Sequence, residues 1–278
     1  MALKIVTDST SDVTEELAAE YGITVLPAYV NIGDESYLDQ VELTRERFYA
    51  ELPSFSAPPT TAAPPVGTFT ETYNQLAAEG ATEILSIHLA SNLSGMLNAA
   101  RLGAQAAEVP VHLFDSQQLS MGLGLLVLAA ARRAEAGVPA ETILAFLEER
   151  VNRTYVLAML DTLEFLRRSG RVSWAQFGLG TLLRIKPILR VYKGDVEVVD
   201  RVRTSGRARQ NVIEHVAALG PLEDIVLLHT HAPEAVEELR EEASHLFPEN
   251  VQPLALQVTP AIGAHTGPGA LGIACITS

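Results

Sequence analysis

The sequence predicts an α/β protein of two domains: an N-terminal parallel α/β/α sandwich over residues 1–151, and a C-terminal α+β domain over residues 152–278 with a mixed or antiparallel sheet. Three observations predict it. Short apolar segments alternate with helical ones through the first half, the pattern of parallel βαβ units. After Asn152 the pattern changes, and Lys193-Gly194-Asp195 between two apolar runs signals a β-hairpin. The chain has 278 residues, enough for two cores.

Each element follows in order. Residues 3–7 read as a short apolar strand. Asp12 with Glu15 fits a capping box for a helix over 13–21, which Gly22 ends. Residues 23–32 read as the next strand, interrupted by Pro27. Thr44 caps a helix over 45–51, and the run from Pro58 to Pro65 is too rich in proline for helix or strand. A helix over 67–79 stops at Gly80, a buried strand over 84–89 follows, and 96–107 is an Ala-rich helix. A strand over 109–114 ends in Asp115-Ser116, and helices over 120–136 and 139–151 complete the first half. The second half reads as a strand (155–160), a short helix (161–168) and an apolar helical run (177–183). The hairpin (185–192 and 196–204), a helix (205–219), a strand (224–231) and a helix (233–246) come next. Strands over 251–258 and 271–276 close the chain.

Composition narrows the function. Hydrophobic residues make up 47% and charged residues 19%, which describes an ordered globular protein. A net charge of −14 argues against general nucleic-acid binding, which needs a basic surface to neutralise phosphates. The lone Cys275 excludes an internal disulfide framework and reads as a buried small hydrophobe. The N-terminus lacks the marks of a signal peptide. The most apolar run, 119–131, is shorter than the ~20 residues of a membrane span. The expectation is a soluble cytoplasmic protein with no stable membrane insertion.

Parallel sheets bind ligands beyond the carboxyl ends of their strands. Asp8-Ser9, Ser91-Asn92-Leu93-Ser94-Gly95 and Asp115-Ser116 all fall there. At the second, a strand hands over to a helix through small hydroxyl residues and a glycine. Helix-start amides, the helix dipole and serine hydroxyls together suit an anion. The alternative is that Ser91 or Asn92 only caps the helix.

Basic residues concentrate between Arg167 and Arg209, where eleven of the twenty stand against three acids. The local charge of +8 suits either a solvated face or a dock for an acidic or phosphorylated partner. The segment from His265 to Gly272 has the letters of a dinucleotide fingerprint, yet no helix can follow it. It reads as a glycine-rich turn carrying a histidine to a cleft, or as an isolated structural histidine. His229-Thr230-His231 places two imidazoles on one strand face, without the carboxylates or cysteines of a metal site. Ser91 or Ser94 with His265 also offers serine hydrolase chemistry, though no G-x-S-x-G elbow is present.

The motifs taken together resemble the DegV family, the fatty-acid-binding subunit type of bacterial fatty acid kinase. Val6-Thr7-Asp8-Ser9-Thr10 matches its opening strand and loop. Thr60-Thr61-Ala62-Ala63-Pro64 stands where the family usually has Thr-Ser-Gln-Pro, and Ser91 to Gly95 matches its S-x-L-S-G segment. Asp115-Ser116 with Ser120-Met121-Gly122, Gly170-Arg171, Lys186-Pro187-Ile188-Leu189 and the segment from His265 to Gly272 complete the set in order. Ala62, Ala63, Met96 and Ser169 depart from the family's usual residues.

The resemblance implies one long-chain fatty acid, such as palmitate or oleate, held between the two domains. It implies that Thr61, Ser91 or Ser94, Gly95 and His265 receive the carboxylate. A separate ATP-dependent fatty acid kinase would phosphorylate it for phospholipid synthesis. Arg171, Arg201 and Arg203 would face that partner. No cofactor, metal or catalytic residue of its own is implied. The apolar runs 119–131 and 177–183 are candidates to line the acyl tunnel, or ordinary core. The runner-up is an esterase or acyl-transfer enzyme using Ser91 or Ser94 with His265.

Overall fold

The computed structural model describes residues 2–171, 185–249 and 251–278. Strands β1 (Leu3–Asp8), β2 (Ile23–Leu26), β6 (Glu83–His88) and β7 (Val111–Asp115) form a parallel sheet in the order β2-β1-β6-β7. Ile5, Val6, Ile84, Leu85 and Ile87 are buried within it, as expected for a sheet covered on both faces. Helices α1 (Glu15–Glu20), α3 (Val66–Ala78), α4 (Met96–Gly103), α5 (Ser120–Glu135) and α6 (Ala140–Val151) belong to this half.

The second sheet joins β8 (Thr154–Met159), β9 (Lys186–Tyr192), β10 (Asp195–Val202), β11 (Leu222–His229), β12 (Ala255–Gln257) and β13 (Leu271–Thr277). Its order is β10-β9-β8-β13-β11-β12, antiparallel throughout except for the parallel β11–β12 pair. The predicted α/β fold with a parallel and a mixed sheet is the one observed. The hairpin turn also forms where the sequence places it: Lys193 and Gly194 have φ of 50° and 82°, left-handed at both central positions. Helices α7 (Glu164–Ser169), α8 (Ser205–Ala217), α9 (Pro233–Glu242) and α10 (Pro260–Thr266) complete this half.

Helix α5 is the shared core. It packs on β1 and β6 on one side and on β8, β11 and β13 on the other. Every residue from Ser120 to Ala131 is buried, which explains why the helix is apolar all round. Glycines bring its neighbours close: a Cβ at Gly124 would lie 2.5 Å from the Ser11 carbonyl, and one at Gly122 2.7 Å from the Val156 side chain.

Five expectations are corrected. The single strand over 23–32 is two, split at Pro27: β2 stays in the parallel sheet, while β3 (Tyr29–Ile32) joins β4 (Glu35–Leu38) and β5 (Thr60–Ala62) in a small antiparallel sheet. The proline-rich loop therefore contains a strand, because three residues between the proline pairs suffice to pair with β3. Asp12 does not cap α1. Thr14 does, its hydroxyl accepting from the Leu17 amide, while Asp12 has φ of 58° and turns inward. The strand over 251–258 shrinks to β12. The segment read as a glycine-rich turn begins inside α10, whose last turn holds His265. The predicted apolar helix over 177–183 lies outside the described residues.

The chain after β12 returns to the first half. The Asp12 carboxylate accepts from the Thr259 amide at 2.7 Å and from the Ser120 hydroxyl. Asp39 accepts from the Ala261 amide at 3.4 Å, and the Tyr49 hydroxyl donates to the Val258 carbonyl at 3.3 Å. These bonds seat α10 over β5 and the loop after β1, placing its C-terminal turn beside Thr61.

Candidate functional site

In the parallel sheet, β1 and β6 are neighbours, and the chain continues to β2 on one side and to β7 on the other. Loops leaving such a switch point splay apart and leave a crevice. Here the crevice is closed by α10, by β5 and by the inner face of β8 and β9. The result is a cavity of about 180 Å³, far above the ~10–15 Å³ that one water occupies.

One wall comes from loops and short elements: Thr10 after β1, Thr61 on β5, Leu93, Ser94 and Gly95 after β6, and His265 and Thr266 on α10. The facing wall is aliphatic, with Val156, Ala158, Leu189 and Val191 from β8 and β9 among its residues. Ala158 and Val196 are only half-buried in the protein alone, because they face the cavity. A smaller apolar recess lies beyond Leu119, Ala158 and Ile262 and reaches Leu228 and Val258.

The polar groups gather around one bond. Thr61 Oγ1 and His265 Nε2 are 2.9 Å apart, and His265 Nδ1 is buried with no partner among the described residues. Burial first, and the nearby Arg171 guanidinium second, push the His265 pKa down to about 4. The imidazole is therefore neutral at neutral pH. Ser94 Oγ accepts from the Met96 amide at 3.2 Å and lines the cavity. Gly95 is the N-cap of α4 with no side-chain cap, and a Cβ there would meet nothing within 4 Å. The helix start is thus open to the cavity.

Ser91 stands apart. It is exposed and outside the lining, and its hydroxyl donates to Asp115 at 2.5 Å. Asn92 is also taken, its amide donating to the Gly194 carbonyl at 2.8 Å. Neither caps α4, so the capping reading of this segment is corrected along with a place for Ser91 in the cavity. Arg171, expected to face a partner, is exposed and also lines the cavity, where its charge acts on His265. Arg201 and Arg203 are exposed on and just beyond β10. The basic cluster is partly neutralised. Arg168 pairs with Glu164, Lys186 with Asp161, Arg190 with Glu197, Arg207 with Glu214, and Arg209 with Glu238 and Glu242.

Of the apolar run 119–131, only Leu119 lines the cavity, and the rest is core. The β8–β9 wall and Thr10 were missed, because strand alternation does not say what the inner face meets. The two histidines of His229-Thr230-His231 diverge, since β11 ends at His229. Its Nδ1 accepts from the Ala232 amide at 3.1 Å, while the His231 ring stacks on Tyr49. No group of three or more potential metal ligands assembles among the described residues.

A Ser-His-Asp chain does exist, but elsewhere. Ser86 Oγ lies 2.8 Å from His88 Nε2, and His88 Nδ1 lies 2.8 Å from Asp8. All three residues are fully buried, and Tyr73 bonds Ser86 from behind. Asp8 also accepts from the Leu89 and Thr10 amides, and from the hydroxyl of Thr10 on the cavity wall. The chain ties β1, β6 and α3 together out of reach of any substrate. Of the hydrolase arrangement read from the sequence, Ser91 is turned to Asp115 and His265 Nε2 to Thr61, while Ser94 shares the cavity with His265 and its hydroxyl accepts from the Met96 amide.

Fold and cavity together define a class: an α/β protein enclosing an aliphatic cavity, polar at one end, between a parallel and a mixed sheet. A family model described as an uncharacterised protein of the DegV family matches residues 2–278. A DegV domain-containing protein of Streptomyces coelicolor is 36% identical over 271 residues, 97% of this chain and 96% of its own. Among solved structures, a DegV family protein from Thermus thermophilus, described for fatty acid binding, is 36% identical with a TM-score of 0.91, both chains covered in full. DegV from Bacillus subtilis, described as a fatty acid binding protein, is 31% identical with a TM-score of 0.90, again over both full chains. The chain belongs to the DegV family. No helix among the described residues is long and apolar enough to cross a membrane.

Proposed function

We propose that this protein binds one long-chain fatty acid, palmitate or oleate being representative, and presents its carboxylate to a separate ATP-dependent kinase. The carrying observation is an aliphatic cavity whose lining also holds the bonded pair Thr61 and His265 together with Ser94 and Gly95. The acid lies between the halves 1–151 and 152–278, which act as two domains. The tail supplies affinity at ~0.8 kcal/mol per buried CH₂, of order ten for sixteen carbons before ordering costs. The carboxylate must be hydrogen-bonded to be buried. Hydroxyls, the open start of α4 and a neutral imidazole provide this without a tight ion pair, and Arg171 supplies the positive charge at the rim. This arrangement leaves carboxylate oxygens accessible to a phosphoryl donor, with Arg171, Arg201 and Arg203 on the side that faces the kinase. The protein contributes binding and presentation in the cytoplasm, and the partner contributes ATP chemistry.

The test is calorimetric titration of delipidated protein with palmitate and oleate, followed by addition of ATP and a fatty acid kinase catalytic subunit. Saturable one-to-one binding and acyl-phosphate formation are expected. Absence of binding overturns the carrier reading, and binding without phosphorylation by any such kinase overturns the presentation step.

A further inference from the structure

A second cavity, of about 250 Å³, lies at the other end of α10 and shares no lining residue with the first. Its walls come from the loop after β1, α1, β2, the turn Asp39-Gln40-Val41, Arg45 at the start of α2 (Arg45–Glu51) and Thr259. Four buried polar atoms on these residues lack a well-formed hydrogen bond among the described residues, Asp39 Oδ2, Gln40 Nε2, Arg45 Nε and Thr259 Oγ1, with only weaker contacts from Gln40 and Ser9 to Asp39 and from Thr259 to Asp12. Asp39 and Thr259 are each only 1% exposed. Buried polar atoms are nearly always paired, so four around one cavity mark a place built for a polar group.

The partners already made fix what each remaining atom offers. Arg45 donates to Gln40 Oε1 at 2.6 Å, which leaves the Gln40 amide nitrogen and Arg45 Nε as donors. Asp39 Oδ1 takes the Ala261 amide, which leaves Oδ2 as an acceptor. Asp12 is spent on Ser120 and Thr259, and Glu15 is exposed at the rim. One inward carboxylate thus faces one guanidinium and one amide. The rest of the wall is aliphatic, with Val13, Ala18, Ile23, Val25 and Pro27, and Val41 is 67% exposed beside it.

We propose that this cavity binds a small aliphatic zwitterion of the α-amino-acid type. Its carboxylate accepts from Arg45 and Gln40, its ammonium donates to Asp39, and its side chain lies on the Val13–Ile23–Val25 wall. Asp39 and Arg45 offer opposite charges to the two ends of such a ligand, and a simple anion or a simple cation would meet only one of them. Burial first, and repulsion by Asp12, push the Asp39 pKa up to about 7 against the opposing hydrogen bonds from Ser9, the Ala261 amide and Gln40. An ammonium beside Asp39 would restore its ionised form, which burial alone disfavours.

Calorimetry of the full-length protein with L-leucine, with isocaproate (no amino group) and with isoamylamine (no carboxylate) tests this. L-leucine is expected to bind one per chain with Kd below about 1 mM, and each analogue about tenfold or more weaker. Asp39→Asn and Arg45→Met should each weaken L-leucine about tenfold or more. Should Arg45→Met fail to fold, the analogue series and Asp39→Asn decide. No saturable binding of L-leucine, equal binding of either analogue, or wild-type affinity in either folded variant would overturn the proposal.

Discussion

The rim of the parallel sheet and the face of the mixed sheet contribute opposite things to one cavity. The rim supplies polar chemistry: Ser94 and Gly95 from the loop after β6, with Thr61 from β5 and His265 from α10 packed over it. The face supplies a flat aliphatic wall from β8 and β9, with Val156, Ala158, Leu189 and Val191. The difference teaches where affinity and orientation come from. Aliphatic area gives most of the binding energy and little direction. The few polar groups give little net energy and fix which end of the ligand faces out.

The comparison can be broken most severely at the wall. Ala158→Phe fills space that the tail would occupy, and displacing several methylenes should weaken palmitate binding about hundredfold or more. Calorimetry against wild type reads this, and unchanged affinity would take β8 out of the tail path. At the rim the effects are smaller. Thr61→Val or Ser94→Ala should each weaken binding by ~1–3 kcal/mol, the cost of one unmet buried hydrogen bond. Ser91→Ala should leave affinity unchanged, because its hydroxyl serves Asp115. Equal losses at Ser91 and Ser94 would contradict the geometry that separates them. Arg171→Glu should impair both lipid binding and acyl-phosphate formation, since it lines the cavity. Arg203→Glu should impair only the kinase step, which a paired binding and turnover assay distinguishes.

The smallest effect concerns pH. The folded His265 pKa of about 4 lies below the ordinary 6.5, so between these values the unfolded chain binds a proton that the folded one does not. Stability is therefore lost as pH falls from 6.5 towards 4, and His265→Asn should flatten that part of the profile. The His265 imidazole resonances of the ligand-free protein should titrate near pH 4, and a midpoint near 6.5 would contradict the burial argument.

The same contrast explains what could be read in the sequence. The rim was legible because its signals are local: a strand, then hydroxyls and a glycine, then a helix start, all within Ile84 to Ala107. The hairpin was legible for the same reason, since Lys193-Gly194 accepts left-handed backbone. The wall was not legible, because the inner face of β8 is set by pairing with β9 and β13, more than 25 residues away. Helix α10 was missed because Pro260, Gly263 and Gly267 give it weak local preference. Its place depends on Asp12 and Asp39, over two hundred residues earlier. Asp12 itself was misassigned for the converse reason, a local capping pattern outweighed by a long-range buried bond. Ser91 shows the limit of motif reading: the segment carries two serines, and only the fold separates the one on the cavity from the one on Asp115.

The most direct test of the central claim is native mass spectrometry of the purified protein, with solvent extraction and identification of whatever is bound. One fatty acid per chain is the predicted result, and its length and unsaturation would report the shape of the wall. A protein that carries no lipid, and takes up neither palmitate nor oleate after incubation, would contradict the account.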